Sequence, residues 1–152
     1  MKPLIASSVF AIAIFACTEP VSPPAYTGHY PLRAVNGSTI PALAAAVPDG
    51  CTEAFGAGAI DLADGVFSLS FGSGYGCPGV NATAYVVSIG GSLTGTSSPL
   101  TARAINPLGQ VGQAETVMEM SLSLSGTDAS LTLPAGALQL AAATTLVFGP
   151  RQ

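Results

Sequence analysis

One histidine, eight acidic side chains and three cysteines are all that this sequence offers for building a reactive centre. A Ser-His-Asp site needs its imidazole beside a positioned serine, yet His29 lies just ahead of the first strand-like stretch and no G-x-S-x-G elbow occurs. His29 reads as a solvent-facing or strand-start residue. Zinc takes three or four His, Cys or carboxylate ligands, which one histidine and a pair of bridged cysteines do not supply. Among the acids, Asp64 and Asp128 stand in turn contexts, where Asp bonds its own backbone. Glu115 and Glu119 are spaced for one face of a strand, and Asp61 flanks Leu62 in the same way. With Glu19, Asp49 and Glu53 they read as solvated surface, since strand charges mark the wet side. The D-x-D-x-D-G spacing of a calcium loop is absent. Gly72 to Gly79 (GSGYGCPG) has no following lysine or helix to cradle a phosphate, and reads as a loop. The expectation is a protein that is not an enzyme, with no catalytic residue, metal or cofactor.

The cysteines carry a different message. Cys51 and Cys77 can pair in an oxidising compartment, which leaves Cys17 odd. Neither forms a C-x-x-C with its neighbours, so a structural disulfide is preferred to a metal or redox pair. Closing a loop of that size is worth about 3 kcal/mol. Charge narrows the partners further. Four basic residues face eight acids, and only 8% of the chain is charged, against about a quarter in ordinary domains. Nucleic-acid binding needs a basic surface to displace counterions, and none exists here. A surface covered instead by Ser, Thr, Gly and Ala is weakly protected against strand-edge association.

The first seventeen residues, MKPLIASSVFAIAIFAC, set the address. Lys2 supplies a positive start, and Leu4 to Ala16 form an apolar run shorter than the roughly 20 residues a spanning helix needs. The segment reads as a cleaved export signal. Its end, Ile14-Phe15-Ala16-Cys17, resembles the lipobox of bacterial lipoproteins: aliphatic, then small, then cysteine. Phe15 is larger than that pattern usually carries. The resemblance implies a signal peptide over residues 1–16, cleavage before Cys17, and lipid on its sulfur and new amino group. Such chains add about 0.8 kcal/mol per buried CH₂, and two or more give lasting attachment. The alternative is ordinary cleavage after Ala11-Ile12-Ala13, leaving Cys17 a free thiol. Residues 17–25 then form a Pro-rich disordered tether, reaching about 25 Å at the extension of proline-rich chain.

Residues 26–152 read as one β-domain. Tyr30, Leu32 and Ala34 alternate with Pro31, Arg33 and Val35, and Pro31 demands an unpaired edge or a strand start. Asn36-Gly37 is a type I′ hairpin signal. Gly28, Tyr30, Leu32, Val35, Asn36, Gly37 and Pro41 together resemble the opening hairpin of small bacterial lipoproteins with a lipocalin-like or META-like β-domain. Residues 42–47 suit a helical turn or a second strand equally well. Beyond them come Ile60 and Leu62, an Asp64-Gly65 turn, and the alternation Phe67, Leu69, Phe71. Tyr85, Val87 and Ile89 follow, turned by Gly90-Gly91 into Ser92-Leu93-Thr94. A weaker strand holds Leu100, Ala102 and Ala104; then Met118 to Leu124, a turn at Gly126, Leu131 and Leu133, and a last strand with Leu146 and Phe148. The fold expectation is all-β: an antiparallel meander of about eight strands, closed as a lipocalin-like barrel or left as a half-open barrel or sandwich.

Function is weighed between two classes. The leading expectation is a lipid-anchored cell-envelope protein, held to the membrane through Cys17, whose β-domain is a structural or protein-interaction module. By resemblance, Thr18 in place of an Asp after the cysteine points to the outer membrane. The alternative is a binder of a small apolar ligand in the barrel interior, with Phe67, Leu69, Phe71, Tyr85, Val87, Leu122 and Leu124 as the lining.

Overall fold

The computed structural model describes residues 24–43, 50–106, 116–140 and 142–152. The leader, Cys17, the tether up to residue 23, Asp49, Glu115 and the ambiguous stretch 44–47 lie outside the described residues. Among the described residues ten strands form one sheet: β1 (Gly28–Val35), β2 (Ser38–Thr39), β3 (Ala42–Leu43), β4 (Thr52–Ala63), β5 (Val66–Gly76), β6 (Thr83–Thr94), β7 (Leu100–Ile105), β8 (Val117–Ser125), β9 (Asp128–Leu133) and β10 (Thr144–Phe148). From β4 to β10 each strand pairs antiparallel with the next, and β1 pairs with both β10 and β4. That double pairing closes an eight-stranded barrel, with the two-residue β2 and β3 added at its margin. The open and sandwich alternatives are thereby excluded. Among the described residues no helix is long and apolar enough to cross a membrane.

Local sequence accounts for most of the turns. Asn36 and Gly37 both adopt positive φ (48° and 82°), as a type I′ turn requires, and join Val35 to Ser38. Asn36 also continues the β1–β10 ladder, its Oδ1 accepting from the Thr145 N–H at 2.8 Å. Pro31 sits neither on an open edge nor at the strand start. β1 pairs with β4 from Gly28 to Pro31 and with β10 from Leu32 onward, so the residue without an N–H stands where the strand changes partners.

Two expected breaks in the strands are absent. Gly90-Gly91 does not turn the chain; both lie inside β6, with Gly91 opposite Phe67 on one side and Ala104 on the other. A Cβ on Gly91 would stand 2.7 Å from the Phe67 ring and even closer to the Arg103 carbonyl oxygen. The glycine leaves room for that ring beside the strand. Likewise Gly72 to Gly76 is not loop but the end of β5, in register with β4 through the Thr52–Gly76 pair. The loop begins only at Cys77.

The core is the barrel interior. Ile60 and Leu62, Phe67, Leu69 and Phe71, Val87 and Ile89, Ala102, Met118, Met120 and Leu122, Leu131, Leu133, Leu146 and Phe148 belong to one buried cluster. Eight strands enclose a space that side chains of this size fill. Opposite Phe71 stands Gly58, just after a bulge in β4; a Cβ there would be 2.7 Å from Phe71 Cα. That vacancy accommodates the Phe55–Phe71 stack, with ring centres 5.1 Å apart.

Candidate functional site

The barrel has two unlike ends. At one, the chain enters β1: Thr27 donates its N–H to the Pro24 carbonyl, Arg151 bonds the Ala25 carbonyl, and the Gln152 N–H bonds the His29 carbonyl. A recess of about 240 Å³ opens there, lined by Ala25, Tyr26, Tyr30, Leu100, Leu124 and the Thr96–Ser98 loop, among others. Tyr30 closes part of it by donating its hydroxyl to the Tyr26 carbonyl at 2.7 Å.

At the other end, β4, β5 and β6 continue as a three-stranded tongue. β6 shares rungs with β7 only from Gly91 to Thr94, while its pairing with β5 reaches back to Thr83. The Cys51–Cys77 disulfide ties β4 to β5 at the tip, next to the Thr52–Gly76 rung. The expected pairing is therefore present. Inside the tongue, Glu53 is buried, and its Oε1 accepts hydrogen bonds from Ser73 Oγ and Tyr85 Oη, each at 2.9 Å. Each strand contributes one member. A buried carboxylate is tolerated only when so satisfied, and here the satisfaction links three strands through one oxygen. Burial, together with the negative charge of Glu53, raises the Tyr85 pKa above its ordinary value, against the lowering effect of the Ser73 hydrogen bond. The hydroxyl therefore remains a donor.

Glu53 was expected among the solvated acids; it is the exception. Its parity was readable, since Phe55 two residues on points inward and a strand repeats every two residues. Ser73 and Tyr85 follow the inward parity of Phe71 and Val87 in the same way. Asp61 and Glu119 do lie on the outside. Asp61 pairs with His29 across β1 and β4, Nδ1 to Oδ1 at 2.7 Å, with side chains 62% and 47% exposed respectively. Glu119 pairs with Arg103 across β7 and β8. Neither pair has a nucleophile attached, and no cluster of three metal-ligating side chains occurs among the described residues.

The predicted lining residues are brought together, but as packing. Phe67, Leu69, Phe71, Val87 and Leu122 are between 0 and 4% exposed and belong to the continuous core; Tyr85 and Leu124 are partly buried against it. Met118, Met120, Phe55 and Phe148 complete the filling and were not among the lining residues predicted from sequence. The tongue also carries a shallow groove of about 470 Å³ lined by Pro41, by Ala54, Gly56, Gly72, Gly74, Ala84 and Val86, and by Phe55, Ser73 and Tyr85 between them. Small residues make up much of that lining.

The class so defined is a closed, filled, eight-stranded antiparallel barrel with a disulfide-tied tongue. Compared with known proteins, the chain matches no family model, no curated protein and no solved structure.

Proposed function

We propose that this chain is a lipid-anchored protein of the bacterial cell envelope, attached through Cys17, whose barrel serves as a protein-interaction module. The observation that carries the module reading is the packing of the barrel. The side chains that a lipocalin-like binder would leave around a cavity are buried against one another, while grooves open on the outer surface. The anchor rests on the sequence Met1 to Cys17 and on the cysteine count, to which the Cys51–Cys77 bond adds support by using the other two thiols. The entry of the chain at one end of the barrel supports an orientation as well: that end faces the lipid, and the tongue faces away. Because the leader resembles a lipobox without an Asp after the cysteine, the outer membrane is the proposed location.

The test is expression of the full chain in a bacterium beside Cys17→Ala, with intact mass and membrane fraction taken for each. A chain starting at Cys17 with added acyl mass, in membranes, and a mutant without it are the expected results. A soluble, unmodified wild type cleaved after Ala13 would refute the anchor.

A further inference from the structure

Glu53 is buried without a countercharge. Its side chain belongs to a residue only 5% exposed, and the Ser73 and Tyr85 hydroxyls that reach it are neutral donors. A buried carboxylate is costly unless a cation joins its hydrogen-bond donors. The chain has no cation to send. Its basic residues are Lys2, His29, Arg33, Arg103 and Arg151. His29 pairs with Asp61, Arg103 pairs with Glu119, and Arg151 bonds the Ala25 carbonyl at the opposite end of the barrel. Arg33 is exposed on β1, and Lys2 belongs to the leader. Stretches 34–102 and 104–150 contain no Lys, Arg or His, so segments 44–49 and 107–115, outside the description, supply none either.

The neighbours of Glu53 decide which kind of cation fits. Phe55 lies two residues along β4 on the same face, Tyr75 stands opposite Glu53 in the β4–β5 register, and Tyr85 donates to it from β6. Tyr75 is 38% exposed, so the margin of this cluster meets solvent. The groove of about 470 Å³ adjoins it: Phe55, Ser73 and Tyr85 are part of its lining, and its size falls within the roughly 300–1,000 Å³ of small-ligand sites. Calcium takes about six to eight oxygen ligands, and no group of three His, Cys, Asp or Glu side chains occurs among the described residues. Aromatic rings beside a carboxylate suit an ammonium group instead, which is drawn both to the charge and to the ring faces. We infer that Glu53 anchors a binding site for a small organic ammonium ion, its charged head on the carboxylate and its apolar body against Phe55, Tyr75 and Tyr85 and along the groove. The two hydroxyls on Oε1 fix the carboxylate before the ligand arrives, so little ordering is lost on binding. The site uses the tongue and not the filled barrel interior, and it holds with or without the anchor at Cys17.

Hexylammonium chloride is the probe, with hexanol as its uncharged match and hexanoate as its opposite in charge. The full chain carrying Cys17→Ala, and so free of lipid, is titrated at neutral pH and constant ionic strength. The chain has four tyrosines and no tryptophan, so tyrosine emission reports occupancy beside Tyr75 and Tyr85. Hexylammonium should bind saturably and about tenfold or more tighter than hexanol, hexanoate should not bind, and Glu53→Gln should lose the preference for the cation. Tyr75→Leu, at a partly exposed position, keeps the carboxylate and removes one ring. It should weaken hexylammonium several-fold while leaving hexanol unchanged, and it carries the test if Glu53→Gln does not fold. Absence of saturable binding, equal affinity for hexylammonium and hexanol, or binding by either variant like the parent would overturn the inference.

Discussion

Replacing Phe71 by alanine separates a packed barrel from a ligand-lined one. Its ring is buried, stacked on Phe55 at 5.1 Å, and flanked in register by Gly58 on β4 and Val87 on β6. Phe→Ala in a core costs about 3–5 kcal/mol, depending on how far the surroundings collapse into the hole. Collapse is restricted here. Gly58 has no side chain to contribute, and Val87 is fixed in the sheet, leaving only Phe55 to tilt. The loss should therefore lie near the middle of that range, about 4 kcal/mol, a large part of the roughly 5–15 kcal/mol that holds a domain together. Urea unfolding of the two proteins, both with Cys17→Ala and with the disulfide intact, gives the difference at constant m-value. Val66→Ala, at an exposed position on the same strand, should change stability by no more than about 0.5 kcal/mol. A loss below about 1 kcal/mol for Phe71→Ala would refute the reasoning. It would mean that the ring borders open space, and the interior would again be a candidate for an apolar ligand.

The glycine pair of β6 gives a sharper contrast. Gly91→Ala drives a methyl into the Phe67 ring and the Arg103 carbonyl and should cost more than about 2 kcal/mol, whereas Gly90→Ala, whose nearest atom stands 3.9 Å away, should be tolerated; thermal unfolding of both distinguishes them. Tyr85 should titrate later than an ordinary phenol, whose value is 10.0, when tyrosinate absorbance is followed into alkaline pH and compared with Tyr85→Phe. Because its folded pKa is raised, its contribution to stability is complete below the unfolded value and is lost as pH climbs through the folded one; Tyr85→Phe should flatten that alkaline decline, and an unchanged slope would contradict the assignment.

Alternation of apolar and polar residues was enough to read Phe67 to Phe71 of β5, Met118 to Leu124 of β8 and Leu131 to Leu133 of β9, because there the inward residues are large and the outward ones are Ser, Thr or Glu. It failed where glycine served a tertiary purpose. Gly91 makes room for a ring on the neighbouring strand, and Gly72 and Gly74 leave the outer face of the tongue bare; locally, both look like turn formers. Glu53 was missed for a related reason. A carboxylate reads as surface until its hydroxyl partners are known, and Ser73 and Tyr85 come from two other strands. Closure was not legible either, since it depends on β1 meeting β4 across the intervening β2 and β3.

The misreadings of Glu53 and of the β5 glycines fall together at the tongue, and that grouping has a physical basis. The barrel proper is specified by bulk: large side chains alternate inward, and their burial fixes register and closure. The tongue lacks that bulk, with Ala, Gly and Ser over much of its length, and is held instead by a covalent tie, a carboxylate shared among three strands and one aromatic stack. Such devices keep a thin sheet in shape without thickening it. The result is a thin, braced sheet at the end of the barrel opposite the entering chain.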